Sequence, residues 1–157
     1  MKNNDILRRI RFIFDFDDTK MIEIFALADR TVTRAEISDW LKKEDDPAFK
    51  AIHDPEFAAF LNGLIIEKRG RKEGAQPVTE ERLNNNLVFR KLKIALDLQA
   101  DDVLEIMKRA DLRLSKHELS AFFRRPGHKH YRECKDQALR GFLKGLQYQL
   151  VEQDIKK

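Results

Sequence analysis

Residues 3–14 read NNDILRRIRFIF, and 82 residues further on residues 85–96 read NNLVFRKLKIAL. The correspondence runs without a gap to about Ile66, opposite Tyr148, so the chain is a duplication. Fifteen of the 64 paired positions are identical, including Asn3/Asn85, Asn4/Asn86, Asp15/Asp97, Ile24/Ile106, Asp29/Asp111, Glu36/Glu118, Asp54/Asp136, Phe60/Phe142 and Gly63/Gly145. Unrelated segments would share about four at ordinary residue frequencies. Many other pairs exchange one apolar residue for another, as in Ile10/Leu92, Val32/Leu114 and Trp40/Phe122.

Working outward from the first stripe, Ile6, Leu7, Ile10, Ile13 and Phe14 recur at helical spacing, as do Val88, Phe89, Leu92, Ala95 and Leu96. An Asn pair stands at the head of each stripe, where an Asn side chain can accept from an orphan backbone N–H, so Asn3 or Asn4 and Asn85 or Asn86 are expected as N-caps. A second helix is expected from about Thr19 to Asp29 and from Asp101 to Asp111, with Thr19 and Asp101 as caps. A third is announced in both copies by a capping box, Thr33 with Glu36 and Ser115 with Glu118, flanked by the staple pairs Val32/Ile37 and Leu114/Leu119. A fourth starts at Asp54-Pro55, read as cap and first helical position, and turns Phe57, Phe60, Leu61, Leu64 and Ile65 inward. Gly63 and Gly145 weaken their helices by about 1 kcal/mol each, so their duplication predicts a second helix backbone crossing closely at both.

No stretch alternates with period two long enough for a sheet. The expectation is an all-α protein of two tandem pseudo-symmetric repeats of about four helices each, with Trp40, Phe122, Phe60 and Phe142 in the core. The repeats span 1–69 and 84–151, with a charged linker at 70–83 reading GRKEGAQPVTEERL and a polar tail at 152–157. Since a half of about 65 residues is marginal alone, the two are expected to pack into one compact helical unit.

The composition excludes several classes. Hydrophobic residues form 42% of 157, enough for a core, while charged residues reach 37% and make a densely ionic surface. A single Cys, Cys134, leaves no intrachain disulfide. The longest charge-free run, Phe57 to Ile66, is ten residues, half of what a membrane-spanning helix needs. Asp5, Arg8, Arg9 and Arg11 stand where a signal peptide would be apolar, so the expected location is cytoplasmic.

The blocks NNDILRRIR, FLNGLIIEKRG, NNNLVFRKLKIA and HKHYRECKDQALRGFLKGL resemble the YehS family of bacterial proteins, two copies of a small helical domain of unknown function. That resemblance covers nearly the whole chain outside the linker. It implies a duplicated helical fold and a cytoplasmic bacterial setting, and supplies no activity, substrate or catalytic residue.

Chemistry is therefore sought in the residues. No GxGxxG, GxxxxGK[ST], HExxH or GxSxG occurs, and no catalytic or cofactor-binding residue is expected. The repeated acidic residues have structural roles available: Asp54 as a cap, Glu36 and Glu118 in capping boxes, Asp15 and Asp97 four residues after Arg11 and Lys93. His128, His130 and Cys134 form H-x-H-x3-C, a weak metal pattern. Copy one has Asp46, Ala48 and Ile52 there, so a polar loop with Cys134 as a half-buried hydrophobe is preferred, and no metal is expected.

Charge separates the halves. Residues 1–70 hold 12 Lys/Arg against 14 Asp/Glu, and residues 71–157 hold 19 against 13, net charges of −2 and +6. Arg90, Lys93, Lys116, Arg124, Arg125, His128, Lys129 and Arg132 compose a possible phosphate-contacting surface in copy two. The second and third helices could form a helix-turn-helix, although the turn lacks Gly and copy one would present Glu36, Asp39, Glu44, Asp45 and Asp46 to phosphates. The leading expectation is a noncatalytic binding or adaptor protein for a macromolecular partner, foremost a protein, with a homo-oligomer open. The alternative is nucleic-acid binding through copy two.

Overall fold

The computed structural model describes residues 1–71, 73–74 and 78–152. Its described residues form eight α-helices and no strand: α1 Asn3–Phe14, α2 Asp18–Leu27, α3 Arg34–Leu41, α4 Asp54–Arg69, α5 Asn85–Ala95, α6 Ala100–Arg109, α7 Lys116–Phe122 and α8 Asp136–Gln147, followed by a π-helical turn, Tyr148–Glu152. The chain divides into two compact units, Met1–Leu83 and Asn84–Lys157. Each repeat closes a core of its own. Residues 72 and 75–77 of the expected linker, and 153–157 of the expected tail, lie outside the described residues. No described helix is long and apolar enough to cross a membrane.

Within unit 1, α2 packs on both α4 and α3, and α1 meets α3 and α4. Phe25 sits between Trp40 and Phe60, at ring centroid distances of 5.5 and 5.2 Å. In unit 2, Phe89 takes the corresponding central place against Phe122 and Phe142, at 6.3 and 4.6 Å. The four aromatic residues expected in the cores are all buried. At Gly63 an added Cβ would overlap the Ile24 carbonyl oxygen, and at Gly145 that of Ile106. The duplicated glycines are thus where α4 meets α2 and α8 meets α6, backbone against backbone, with Ile24 and Ile106 themselves identical in the two repeats.

The third-helix boxes form as written in the sequence. Thr33 Oγ1 accepts from the Glu36 N–H at 3.1 Å while Glu36 Oε1 accepts from the Thr33 N–H at 3.0 Å, and Ser115 with Glu118 repeats the pair at 3.0 and 3.1 Å. Val32, Ile37 and Leu119 are buried and Leu114 is half-buried. The second helices start earlier than expected: Asp17, not Thr19, caps α2 by accepting from the Lys20 N–H at 2.8 Å. Gln99, not Asp101, is the cap residue of α6, and its N–H donates to Asp102 Oδ2 at 2.7 Å.

The repeated Asp residues have a backbone role that the helical charge-pair reading missed. Asp15, Asp29, Asp97 and Asp111 all lie in the left-handed region, with φ between 53° and 60°. Each stands just past a helix, where the next N–H turns back to the final turn: Phe16 to Arg11 O at 3.1 Å, Leu98 to Lys93 O at 3.0 Å, Arg30 to Phe25 O at 3.0 Å and Leu112 to Met107 O at 3.0 Å. Glycine usually fills this place. Asp is among the few side chains that tolerate it, so the stop signal is an Asp, written four times.

The Asn pairs are also not caps. Lys2 and Asn84 are the cap residues of α1 and α5, which places Asn3, Asn4, Asn85 and Asn86 inside the helices. Buried Asn4 donates from Nδ2 to the carbonyls of Trp40 and Lys50, both at 2.9 Å, and accepts at Oδ1 from the Ile52 N–H at 3.1 Å. Buried Asn86 does the same with Phe122 O at 3.0 Å, Arg132 O at 2.9 Å and Cys134 N–H at 2.9 Å. Asn3 and Asn85 hold the next step, donating to Asp54 Oδ1 at 2.7 Å and Asp136 Oδ1 at 2.8 Å. Asp54 is thereby an acceptor for Asn3 and for the Leu83 N–H at 2.9 Å, while His53 takes the cap position of α4. One amide therefore fixes the loop between the third and fourth helices of each unit.

Asn4→Ala removes three hydrogen bonds at once and strands two carbonyls and an N–H, which should destabilise unit 1 by about 3 kcal/mol. Trp40 is the sole Trp and lies in that unit, so urea unfolding followed by its fluorescence reads the loss directly. Gly63→Ala, which forces a methyl group into the Ile24 carbonyl, should destabilise the same unit by about 1–3 kcal/mol or more, read in the same unfolding experiment.

Candidate anion-binding face

The loops 42–53 and 124–135 have one backbone design. Asp46, Phe49 and Lys50 donate to the carbonyls of Lys43, Asp46 and Asp39, and His128, Tyr131 and Arg132 donate to those of Arg125, His128 and Ala121, at corresponding positions and 2.9–3.2 Å. With the loop held by Asn4 or Asn86, a side-chain exchange between repeats alters chemistry on a constant frame.

In unit 1 Lys2, Arg8, Lys42 and Lys50 of this frame are matched by carboxylates. Asp39 Oδ1 lies 2.8 Å from Lys42 Nζ and Asp39 Oδ2 lies 3.8 Å from Lys50 Nζ. The hydrogen bond from Lys42 holds the Asp39 carboxyl below its ordinary range, and Asp39 in turn raises Lys42. Arg8 pairs with Asp5 and donates to the Lys42 carbonyl at 2.9 Å, and Lys2 pairs with Glu44.

In unit 2 four of these cations are kept, Lys2 becomes Asn84 and five carboxylates are lost, while Glu133 enters the loop and pairs with Lys135 at 3.2 Å. Arg8, Lys42, Lys43 and Lys50 correspond to Arg90, Arg124, Arg125 and Arg132, whereas Asp5, Asp39, Glu44, Asp45 and Asp46 correspond to Leu87, Ala121, Pro126, Gly127 and His128. Arg90, Arg124, Arg125, Lys129 and Arg132 are exposed, and among the described residues none of them has a carboxylate within 4.0 Å.

These residues are gathered around two shallow clefts that meet at Tyr131. The first, of about 100 Å³, has Leu87, Phe123, Pro126 and Tyr131 in its walls with Arg90 and Arg124 beside them. The second, of about 210 Å³, is bounded by His117, Lys129, His130, Tyr131 and Arg132, with Glu118 as a lining carboxylate. Glu118 is committed to Ser115, whose backbone N–H and hydroxyl hold its carboxyl below the ordinary range. Both clefts fall short of the roughly 300–1,000 Å³ of a pocket that engulfs a small molecule, and suit contact with a surface or a chain.

Of the eight residues expected in the phosphate surface, Arg90 and Arg124 border the first cleft, and Lys129 and Arg132 the second. Lys93 stands behind the first, its Nζ 5.3 Å from the Phe123 ring centroid. Arg125 and His128 are exposed on the same loop, and the His128 and His130 rings are 5.6 Å apart. Lys116 is set apart, paired with Asp101 at 3.4 Å. Sequence reasoning missed His117, Phe123 and Tyr131. Reading the two repeats column by column for carboxylates that vanish while cations stay would have found the face.

H-x-H-x3-C is not assembled. Cys134 is buried, fuller than the half-buried place expected, with its N–H on Asn86 and its Sγ 3.6 Å from the Lys135 carbonyl. Among the described residues no three His, Cys, Asp or Glu side chains converge as a metal site.

The fold and this face define a class: a duplicated all-α protein in which one copy of a shared loop is internally neutralised and the other is openly cationic. The chain belongs to the family described as "Protein of unknown function (DUF1456)", which matches residues 3–70 and 85–150. It is 44% identical over 158 residues to "Uncharacterized protein YehS" of Escherichia coli (strain K12), across 100% of this chain and 99% of the relative. No solved structure matches.

Burial pushes the Cys134 thiol up to about 12. Its thiolate is absent at pH 8, so a thiol reagent such as Ellman's should leave the native protein unmodified there and titrate one thiol after denaturation. Because the unfolded thiol ionises near its ordinary pKa of about 8.5, unit 2 should lose stability as pH rises from that value toward 12.

Proposed function

We propose that the protein is a noncatalytic binding protein of the cytoplasm whose ligand is nucleic acid, held through its phosphates by the α7–α8 loop and α5 of unit 2. The observation that supports this is the selective loss of carboxylates. A solvated surface balances its cations, as unit 1 does with Asp5, Asp39 and Glu44. Unit 2 keeps Arg8, Lys42, Lys43 and Lys50 as Arg90, Arg124, Arg125 and Arg132, loses Lys2 together with its partner Glu44, and among the described residues leaves Arg90, Arg124, Arg125, Lys129 and Arg132 with no carboxylate within 4.0 Å. A closely spaced set of arginines on a held loop suits the regular charges of a phosphate backbone, and guanidinium groups grip phosphate with paired N–H donors.

Reading of duplex sequence by a recognition helix has less support, because α7 has only seven residues and its Lys116 is engaged with Asp101. An adaptor role toward a protein partner has one specific observation in its favour: Phe12 and Ile94, large exposed apolar residues on α1 and α5, occupy the same repeat position.

Fluorescence anisotropy of labelled oligonucleotides, titrated with salt from about 50 to 200 mM, should show binding tighter than about 10 μM that weakens steeply as salt rises. The triple variant Arg124→Glu, Arg125→Glu, Lys129→Glu should lose at least tenfold in affinity and lower the salt slope by about 2–3. Ala121→Asp, which restores the carboxylate that Asp39 supplies in unit 1, should weaken binding as well. Unchanged affinity in the triple variant would overturn the assignment, and the adaptor reading would then be taken up through Phe12 and Ile94.

A further inference from the structure

We infer that the first cleft of unit 2 seats an unstacked base, which makes the preferred ligand single-stranded nucleic acid; this rests on the binding role just proposed and specifies its form. A phosphate site needs cations alone. Here two arginines stand over apolar walls, with Leu87, Phe123 and Tyr131 half-buried and Pro126 exposed beside Arg90 and Arg124. Such a floor gains nothing from a phosphate and something from a flat ring. Single strands offer both, a charged backbone and bases free to leave the stack, and proteins that bind them pair a cationic groove with aromatic platforms.

The same frame in unit 1 is shut to this use. There Lys2 and Glu44 pair across the positions of Asn84 and Pro126, and Asp5 stands where unit 2 has Leu87 and holds Arg8. The substitutions that free the cations also make the cleft apolar: Asp5 becomes Leu87, Leu41 becomes Phe123 and Glu44 becomes Pro126. Phe123 is fixed for the purpose, edge-on to Phe89 at 5.2 Å and with Lys93 Nζ at 5.3 Å from its centroid, so the platform is anchored in the core while part of it meets solvent. A duplex keeps its bases inside the stack and reaches this face only with phosphates, so it can use the arginines and not the floor.

The test compares three ligands with equal numbers of phosphates at one salt concentration: an oligothymidylate of about twelve nucleotides, its abasic counterpart, and a duplex of about six base pairs closed by an uncharged linker. The expected order places the base-bearing strand roughly tenfold tighter than either of the others. Phe123→Leu installs the residue that unit 1 tolerates at Leu41, and should reduce affinity for the base-bearing strand several-fold while leaving the abasic strand unchanged. Arg90→Gln should weaken both strands alike. Equal binding of the base-bearing and abasic strands, or of strand and duplex, overturns the base seat while leaving a phosphate-binding face standing. Equal losses on both strands in the Phe123→Leu protein overturn it too. Binding of none of the three ligands overturns the nucleic-acid role itself.

Discussion

A buried side-chain amide on the first helix of each unit, Asn4 or Asn86, is bonded to a carbonyl at the end of the third helix and to two backbone groups of the loop that follows it. An irregular segment has no helical ladder to satisfy its N–H and C=O groups, and leaving them buried and unpaired would cost about 1–3 kcal/mol each. The amide meets that need with one donor pair and one acceptor. In doing so it ties the start of the repeat to its far side, so the loop path, the entry of the fourth helix and the placement of its inward Phe60 or Phe142 follow from one residue. The contact of α4 with α2, and of α8 with α6, completes the arrangement through a glycine that lets the backbones touch.

Duplication makes the protein its own comparison. The loop backbones carry the same hydrogen bonds, the hub amides the same partners and the glycines the same crossings. What differs is the charge laid over them. Asp39, with two lysines on its carboxylate, is an alanine in the other copy, and the corresponding arginines face outward. A structural demand would have acted on both copies equally. The asymmetry is therefore a property of the surface, and the proposed phosphate contact on unit 2 rests on it.

Most of the fold was legible from spacing. Capping boxes, apolar stripes and the paired glycines located the helices and the close crossing, because these are local or single-residue signals with one physical meaning. The errors share a cause. Asn4 and Asn86 were read as caps because their neighbours in sequence are helix starts, while their partners lie 36 to 48 residues away. Asp15 and Asp97 read as helical charge partners, and Asp29 and Asp111 as the last residues of their helices, when the φ values of all four make them turns. Cys134 reads as a half-buried hydrophobe from its polar neighbours, yet it is fully buried, with its N–H held by Asn86. Of the candidate site, the arginines were visible as composition, but the aromatic residues beside them were not, since Phe123 and Tyr131 look like core until a cleft is seen to reach them.

The hub also bears on time. The N–H of Ile52 and of Cys134 belong to loops, yet each donates to a buried amide oxygen, so their exchange with solvent requires opening the unit rather than a passing fluctuation of the chain. The end of the segment that carries Arg124, Lys129 and Arg132 is thus pinned to the core at Cys134. A ligand meeting that face finds the loop already ordered, and the entropy that a mobile loop would lose on binding has been lost in folding.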